Sequence, residues 1–422
     1  MTKIKKYFHT RNLLKIVTDW RVIIVFVALN ITASFVLASS GIIQKQINSM
    51  PELPKRIGPV YVRGIYISSW TAGESRINDL IELIERTELN AVVIDIKDSS
   101  GKVAYDSKLP LVNQFGLKEL RIKDLPALIK KLKEKGIYSI ARIVVFQDPE
   151  LAKNRPDLAL KDKRTGKVWQ DFKGLAWLDP SSKEVWQYNV DLAQEALQIG
   201  FDEVNFDYIR FPSDGLIRYL QYPFWDKKIS KTEVIKQFFI YQDQELGDFN
   251  TSVDLFGMTL WRDDGMEIGQ KITDALLYFD YVCPMLYPSH FPENFENFSN
   301  PAEHPYEIIY RSLIRIKSLF DKTQINTDQD ADQRGYNNRG STQIQTQIDA
   351  DIGVNQGSNL RKSAFIRPWL QAFDLGAKYT PEMILKQKQA VEDGGGFGWL
   401  LWNARNDYSG IENALRPRPQ SE

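Results

Sequence analysis

From residue 62 onward, short runs of β-branched and aromatic residues alternate with amphipathic stretches of helical periodicity. Eight runs predict strands, at residues 62–68, 91–98, 138–146, 203–211, 252–259, 281–288, 364–373 and 396–403. Helical patterns follow nearly every run, among them those at 77–88, 125–136, 182–200 and 381–394, and several end in glycine, as helix C-termini often do. This alternation is typical of a parallel sheet built from βα units.

Eight βα units in about 345 residues match a (β/α)8 TIM barrel with some enlarged loops. The predicted fold class is therefore α/β, with the barrel domain at residues 61–415. An open, doubly wound sheet is the competing architecture. It normally carries a glycine-rich nucleotide-binding turn after its first strand, and the segment GIYISSWTAG is not such a turn.

The segment before the barrel predicts a membrane anchor or an export signal at residues 1–40. Residues 22–38 are mostly apolar, and the preceding residues are strongly basic. Because basic residues stay on the cytoplasmic side, the barrel is expected outside the cytoplasm. A single-pass anchor is the favoured interpretation, and a signal cleaved after Ala38, which would release a secreted protein, is the alternative. Residues 41–60 are polar and predict a linker.

Two long loops interrupt the barrel pattern. The first follows the third strand at residues 147–183 and could form one wall of a cleft. The second, at residues 322–363, is rich in Gln, Asn and Asp with almost no large apolar residue, which predicts a flexible insertion.

Composition excludes several classes of function. The chain has 54 basic and 54 acidic residues, so it lacks the overall positive charge of nucleic-acid-binding proteins, and neutral partners fit better. The single cysteine, Cys283, rules out an intramolecular disulfide and suggests a small buried residue. A two-histidine metal site would need both His290 and His304, so no metal is predicted. A serine-hydrolase elbow, a P-loop and a dinucleotide fingerprint are all missing from the sequence, and no cofactor is predicted.

Asp207 is the strongest candidate for a catalytic residue. It lies in the fourth predicted strand between Phe206 and Tyr208, where a carboxylate must point into the barrel or lose several kcal/mol through desolvation. In a TIM barrel, side chains at the carboxyl ends of strands form the active site. The competing interpretation is a structural ion pair with Arg210 or a neighbouring arginine.

Cleavage of a glycosidic bond needs two carboxyl groups, a proton donor and a nucleophile or base. Asp98 and Asp254 are the first candidates for the partner of Asp207, followed by Asp374 and then Asp95. Asp254 comes early in its strand and could lie too deep, whereas Asp98 could merely cap the turn that follows it. The sequence leaves this choice open.

Aromatic residues at strand ends form the second argument, because flat rings at a barrel mouth suit stacking on sugars. Those expected at the mouth are Trp70, Trp261, Tyr287, Trp369 and Trp402. Trp399 is instead expected in the core. The complete set of candidate substrate-binding residues is Trp70, Asp95, Lys97, Asn205, Arg210, Tyr287, Arg367, Trp369, Gln371, Asp374 and Trp402.

Several motifs occur in a recognisable order: VRGIYISSWTAG, NAVVIDIKDSSGKVAYDS, FDEVNFDYIRFPSDG, CPMLYPSH, RPWLQAF and GWLLWNA. The chain thereby resembles the "putative glycosyl hydrolase domain" family, whose specificity is unknown, over residues 62–410. The resemblance implies a TIM barrel similar to that of glycoside hydrolases, with Asp207 in the catalytic position and Arg210 beside it. The insertion at 322–363 departs from the short connection usual in that family.

The leading hypothesis is hydrolysis of a cell-envelope or extracellular polysaccharide. Asp207 would act as nucleophile or base, and Asp98 or Asp254 as proton donor. The alternative is a catalytically inactive barrel that binds glycan and organises the envelope. Carboxyl groups about 5–5.5 Å apart indicate a retaining mechanism, and groups about 6.5–9.5 Å apart an inverting one.

Overall fold

The computed structural model describes residues 56–316 and 364–417. The predicted membrane segment at 22–38, most of the linker at 41–60 and the insertion at 322–363 lie outside these residues. Within the described residues, no helix is long and apolar enough to cross a lipid bilayer. The domain boundaries proposed from the sequence therefore stay predictions at all three segments.

Parallel strands close into a barrel, as the alternating pattern predicts. The strands are β1 Val62–Ile67, β2 Ala91–Lys97, β3 Tyr138–Val144, β4 Glu203–Asp207, β5 Asn250–Phe256, β6 Tyr281–Met285, β7 in two segments at Phe365–Ile366 and Trp369–Gln371, and β8 Gly398–Trp402. Neighbours pair in chain order, and β8 closes the ring by pairing in parallel with β1, where Val62 lies opposite Gly398. The TIM-barrel prediction is confirmed.

Helices surround the barrel and connect successive strands. They are α1 Ser69–Gly73, α2 Arg76–Arg86, α3 Pro110–Gln114, α4 Leu125–Glu134, α5 Pro149–Asn154, α6 Lys183–Ile199, α7 Lys231–Leu246, α8 Ile272–Tyr278, α9 at 305–316 and α10 Pro381–Gly394. Side chains before the first turns cap several of them: the carboxylate of Asp124 accepts from the backbone N–H of Ala127 at 2.9 Å. At the C-terminus of α6, Gly200 adopts a left-handed conformation with φ 117°, which ends the helix.

The side chains of each strand point alternately into two cores, one beneath the helices and one inside the barrel, because neighbouring residues of a strand face opposite sides of the sheet. Ile65, Ile94 and Phe206 point outward and pack in the core beneath the helices. Val93, Ile140 and Leu400 point inward and fill the barrel. Most of the barrel is thus a packed core, and a site can form only at its ends.

Two predicted strands differ in detail from the structure. The fourth was expected to reach residue 211 but ends at Asp207, because Tyr208 adopts a left-handed backbone with φ 54°. The seventh is interrupted at Arg367 and Pro368, since proline has no N–H to donate to the neighbouring strand. The predictions that Cys283 and Trp399 are core residues are confirmed, because both are fully buried.

Candidate active site

Four charged side chains meet inside the barrel at the carboxyl ends of consecutive strands. Asp95 lies near the end of β2, Arg142 lies in β3, Asp207 ends β4 and Asp254 lies in β5. The strand register places Asp95 directly opposite Arg142. All four are buried, so their charges must be balanced by one another.

The guanidinium of Arg142 contacts all three carboxyl groups. Its Nη1 donates to Asp95 Oδ1 at 2.5 Å, and its Nη2 donates to Asp207 Oδ2. Its Nε lies 3.6 Å from Asp254 Oδ2. One buried cation therefore faces three acids, which leaves an excess of negative charge if every acid is ionised.

Protonation of Asp254 relieves this excess of negative charge. Burial, followed by repulsion from Asp207, raises the pKa of Asp254 to about 8, although Arg142 opposes the shift. Its Oδ1 accepts from the side-chain N–H groups of Asn205 and Trp369, each at 2.8 Å. Because Oδ1 already accepts two hydrogen bonds, the proton of the neutral acid belongs on Oδ2.

Asp207 differs from Asp254 in its hydrogen bonds. Its Oδ2 accepts from Arg142, and its Oδ1 accepts from the backbone N–H of Tyr208 at 2.5 Å. The left-handed turn at Tyr208 brings that N–H back to the carboxylate. Both oxygens are therefore acceptors, as in an ionised carboxylate, and the two aspartates are chemically distinct.

A third carboxyl, Asp95, lies on the far side of Arg142. The hydroxyl of Tyr66 donates to its Oδ2 at 2.6 Å. Burial raises the pKa of Asp95, while the Arg142 guanidinium acts in the opposite direction. Since both of its partners are buried, Asp95 serves to hold Arg142 in place.

Aromatic rings surround a cavity of about 220 Å³ above this cluster. Trp402 stacks on Tyr66 with ring centroids 3.9 Å apart, and Trp369 contacts Trp402 edge-on at 5.5 Å. The guanidinium of Arg142 lies 5.1 Å from the Trp402 ring. The residues lining the cavity include Arg142, Asp207, Tyr208, Arg210, Asp254, Gln270, Tyr287, Trp369 and Trp402. Flat rings beside two carboxyl groups form a site suited to a sugar.

The comparison with known families agrees with this geometry. The sequence matches the family described as "Putative glycosyl hydrolase domain" over residues 64–356 and 343–408. The chain belongs to this family. The resemblance expected from the motifs is thereby confirmed, whereas no curated protein matches the chain.

Solved structures that are similar to this chain include the following two. A hypothetical protein from Ruminiclostridium thermocellum is 37% identical, with 45% of this chain and 96% of that one covered and a TM-score of 0.42. The glycoside hydrolase domain of PgaB (BpsB) from Bordetella bronchiseptica is 12% identical, with 85% and 99% covered and a TM-score of 0.51. The second similarity supports the barrel fold.

The competing interpretation of Asp207 allowed an ion pair with Arg210 or with a neighbouring arginine, and the structure has the second: its partner is Arg142 on the adjacent strand. Arg210 instead donates to Ser213 Oγ at 3.0 Å and lies 4.8 Å from the ring of Trp177. It still lines the cavity of the domain, as expected of a substrate-binding candidate.

Asp98 lies at the turn after β2 and not within the Arg142 cluster. Its Oδ1 accepts from the backbone N–H of Ser100 at 2.9 Å, and its Oδ2 pairs with Arg121 at 2.5 Å. This is the turn-capping role that the sequence left open. Of the two first candidates for the partner of Asp207, the geometry favours Asp254.

Lys97 points away from the cavity, contrary to its inclusion among the substrate-binding candidates. The pairing of β2 with β3 shifts register between Asp95 and Lys97. This bulge turns Lys97 outward, where its Nζ lies 2.8 Å from Asp148 and donates to Asn189 at 2.9 Å. Lys97 therefore stabilises the packing of the barrel against α6.

Arg367 was also expected to bind substrate, and this is wrong. It forms a fully buried ion pair with Glu203, at the first residue of β4 and hence at the opposite end of the barrel from Asp207. Gln371 is buried as well and accepts from the backbone N–H of Ser289 at 3.1 Å, so it orders loops.

Three further candidates lie apart from the carboxylates. Asp374 is exposed and accepts from the backbone N–H of Tyr379 at 2.8 Å. Trp70 is 53% exposed and packs on Arg121, with 4.5 Å between the guanidinium carbon and the ring centroid. Trp261, expected at the mouth, donates to Ser312 Oγ at 2.9 Å and packs against the outer core.

Sequence reasoning missed Arg142 and Tyr66, which hold the carboxylates together. The signal for Arg142 was present: it is a lone charge in the apolar strand YSIARIV, the same argument that identified Asp207. Tyr66 gave no comparable signal, because tyrosine is common in strands. Among the described residues, no group of three or more His, Cys, Asp and Glu side chains is arranged to hold a metal ion.

Proposed function

We propose that this chain hydrolyses glycosidic bonds in a polysaccharide, with Asp254 as proton donor and Asp207 as nucleophile or base. The observation that carries the proposal is the unequal pair of carboxyl groups in one cavity. The pKa of Asp254 is raised to about 8, so it holds a proton at neutral pH, while Asp207 accepts from Arg142 and a backbone N–H. Such an inequality is what acid catalysis of glycoside cleavage requires.

In the proposed reaction, Asp254 Oδ2 gives its proton to the glycosidic oxygen as the bond to the anomeric carbon breaks. Asp207 either attacks the anomeric carbon, forming a glycosyl ester that water then hydrolyses while Asp254 takes the proton of that water, or removes a proton from a water that attacks the anomeric carbon directly. Asn205 and Trp369 fix Asp254 through Oδ1 and leave Oδ2 as the donor. Arg142 keeps both carboxyl groups in place throughout.

The substrate we propose is a cell-envelope or extracellular polysaccharide. The partly exposed ring of Trp402, backed by the buried rings of Tyr66 and Trp369, suits stacking against the apolar face of a sugar. The place of action rests on the basic and apolar residues 1–40, which we propose hold the chain in the membrane with the barrel outside the cytoplasm. Release as a secreted protein remains the alternative if that segment is cleaved.

The test is release of reducing ends from a panel of purified envelope glycans by the full chain and by Asp207→Asn. The matched control is Asp79→Asn, an equal change of charge at an exposed residue on α2. We expect release by the wild type and by the control, with a loss of about a thousandfold or more in Asp207→Asn. Release by Asp207→Asn at the wild-type rate would refute its role.

The alternative proposal is a glycan-binding barrel without activity. One observation favours it: all three carboxyl groups around Arg142 are buried and engaged, which is also what a structural network looks like. Retained binding of a glycan by the wild type, without release of reducing ends from any member of the panel, would support this alternative.

A further inference from the structure

The loops that follow β3 and β4 lie at the same end of the barrel as the cavity and join there in a small antiparallel ladder. Lys161 pairs with Gln221, and Asp162 pairs with Leu220. The ladder continues where the backbone N–H of Lys163 donates to the carbonyl of Tyr219 at 2.9 Å. Two segments far apart in sequence therefore present their side chains on one surface.

That surface carries a cluster of positive charge around the ring of Tyr219. The guanidinium carbons of Arg164 and Arg218 lie 4.0 and 4.8 Å from the ring centroid, and Lys163 Nζ lies 5.8 Å from it. Lys167 extends the cluster along the same hairpin, since its carbonyl accepts from the backbone N–H of Asp162 at 2.8 Å. We call Lys163, Arg164, Lys167 and Arg218 the basic surface; all four are exposed.

The basic surface is only partly neutralised. Among the described residues, Asp162 is the carboxylate paired with it, through Arg164 at 2.5 Å. Four cations and one anion leave an excess of positive charge, although the whole chain is balanced at net zero. Cations gathered around one ring repel each other, and the ring face offsets only part of that repulsion. An anionic partner would offset the remaining repulsion between these cations.

We propose that the basic surface binds acidic groups of an anionic polysaccharide as the polymer enters the cavity. The inference rests on the proposed function and narrows its substrate from polysaccharides in general to acidic polysaccharides. The position of the basic surface supports a contact with the substrate. The loop after β3 that carries Lys163, Arg164 and Lys167 also carries Trp177, whose ring lies 5.9 Å from that of Tyr208 at the cavity wall. A polymer reaching Asp207 along this side passes the basic surface.

The test measures binding with hydrolysis removed. Full-length chain carrying Asp207→Asn is titrated with dextran sulfate and with dextran of the same length at low salt. The variant to compare replaces Lys163, Arg164 and Arg218 by Gln. Its matched control replaces the exposed Lys130, Lys131 and Lys133 of α4 by Gln, which removes the same charge from a helix on the outside of the barrel.

We expect dextran sulfate to bind and dextran to bind much more weakly. The hairpin triple variant should lose about tenfold or more in affinity, the α4 triple variant should retain it, and added salt should weaken the binding. Polygalacturonate in place of dextran sulfate tells whether carboxylates or more strongly acidic groups are preferred. Equal thermal stability of the two triple variants shows that the comparison is between folded proteins.

Three results would overturn the inference. They are equal losses in both triple variants, equal binding of dextran and dextran sulfate, or binding to vesicles of phosphatidylglycerol without binding to either polyanion. The last would make the basic surface a contact for an anionic membrane. Since binding is measured in a hydrolytically silent variant, the result is independent of whether the proposed hydrolysis is found.

Discussion

At the scale of single residues, Arg142 organises the site. It joins Asp95, Asp207 and Asp254, and a single cation cannot neutralise three buried acids. The proton retained by Asp254 follows from that imbalance and from burial. The proton that the proposed hydrolysis needs is therefore a consequence of burying three aspartates around one arginine.

This proton predicts a dependence of stability on pH. The pKa of Asp254 is about 8 in the folded state and near 4 when unfolded, so between these values the folded state binds a proton that the unfolded state releases. Stability therefore falls as pH rises through this window, by up to about 1.4 kcal/mol per pH unit from this group. Asp254→Asn removes this effect. The free energy of unfolding of the variant should therefore rise relative to that of the wild type between pH 5 and pH 7.

Urea-induced unfolding at pH 5, 6 and 7 measures this difference. Asp79→Asn is the control, because its carboxylate is exposed on α2, and its curve should run parallel to that of the wild type. A parallel curve for Asp254→Asn as well would show that Asp254 is ionised throughout the range. In the active enzyme, the same group should cause activity to decline above about pH 8.

The sequence predicted Asp207 because its neighbours are large and apolar, so its inward position was forced. It could not choose between Asp98, at the end of its predicted strand, and Asp254, early in its own, because a local pattern does not show which side chain reaches Asp207. The structure separates them because the chain turns at Ser100, which binds Asp98, whereas Asp254 stays within β5. Contacts between distant strands decide the matter, and these are not visible in a local pattern.

At the scale of elements, irregularities in two strands redirect side chains. The bulge in β2 turns Lys97 outward, and the interruption of β7 at Pro368 separates its two segments. Simple alternation along β2 places Lys97 wrongly for this reason, whereas Arg367 does point into the barrel but lies at the end opposite Asp207. The strands themselves and the helix caps were predictable, because they depend on short stretches of sequence.

The buried pair of Arg367 and Glu203 predicts a large effect on stability. Arg367→Met leaves Glu203 buried without its cation, which should lower the free energy of unfolding by about 3–5 kcal/mol. Adding Glu203→Gln should recover part of the loss, because the uncompensated charge is gone. Urea-induced unfolding of the single and double variants measures both effects.

Activity provides the second readout for this pair. Arg367 and Glu203 lie at the end of the barrel opposite Asp207, so activity per folded molecule should be retained in the double variant. A single variant that is no less stable than the double variant would show that Glu203 takes up a proton or reaches water when its partner is removed.

At the scale of the whole molecule, closure of the barrel creates both the site and the basic surface. The strand order and register bring β2 to β5 side by side at their carboxyl ends, and the loops after β3 and β4 pair beyond them. Composition alone suggested neutral partners, because charges that are segregated in space cancel in the sum. The eight-stranded pattern was predictable, but this segregation was not.

The N-terminal segment allows a prediction about the mature protein. If residues 22–38 form a membrane anchor, the protein made in cells keeps this segment and sediments with membranes. Mass determination of the mature protein, with fractionation of the cells, measures both. A product shortened by about 38 residues and found in the medium would contradict the anchor and indicate a cleaved signal.

The most direct test of the central claim, that Asp254 donates the proton and Asp207 does not, uses two substrates with the same sugar. One carries a natural sugar leaving group, which needs protonation, and the other a dinitrophenyl group, which leaves without it. Asp254→Asn should lose about a thousandfold or more on the first and only a few fold on the second, whereas Asp207→Asn should lose on both. Equal losses on both substrates in Asp254→Asn would contradict the account.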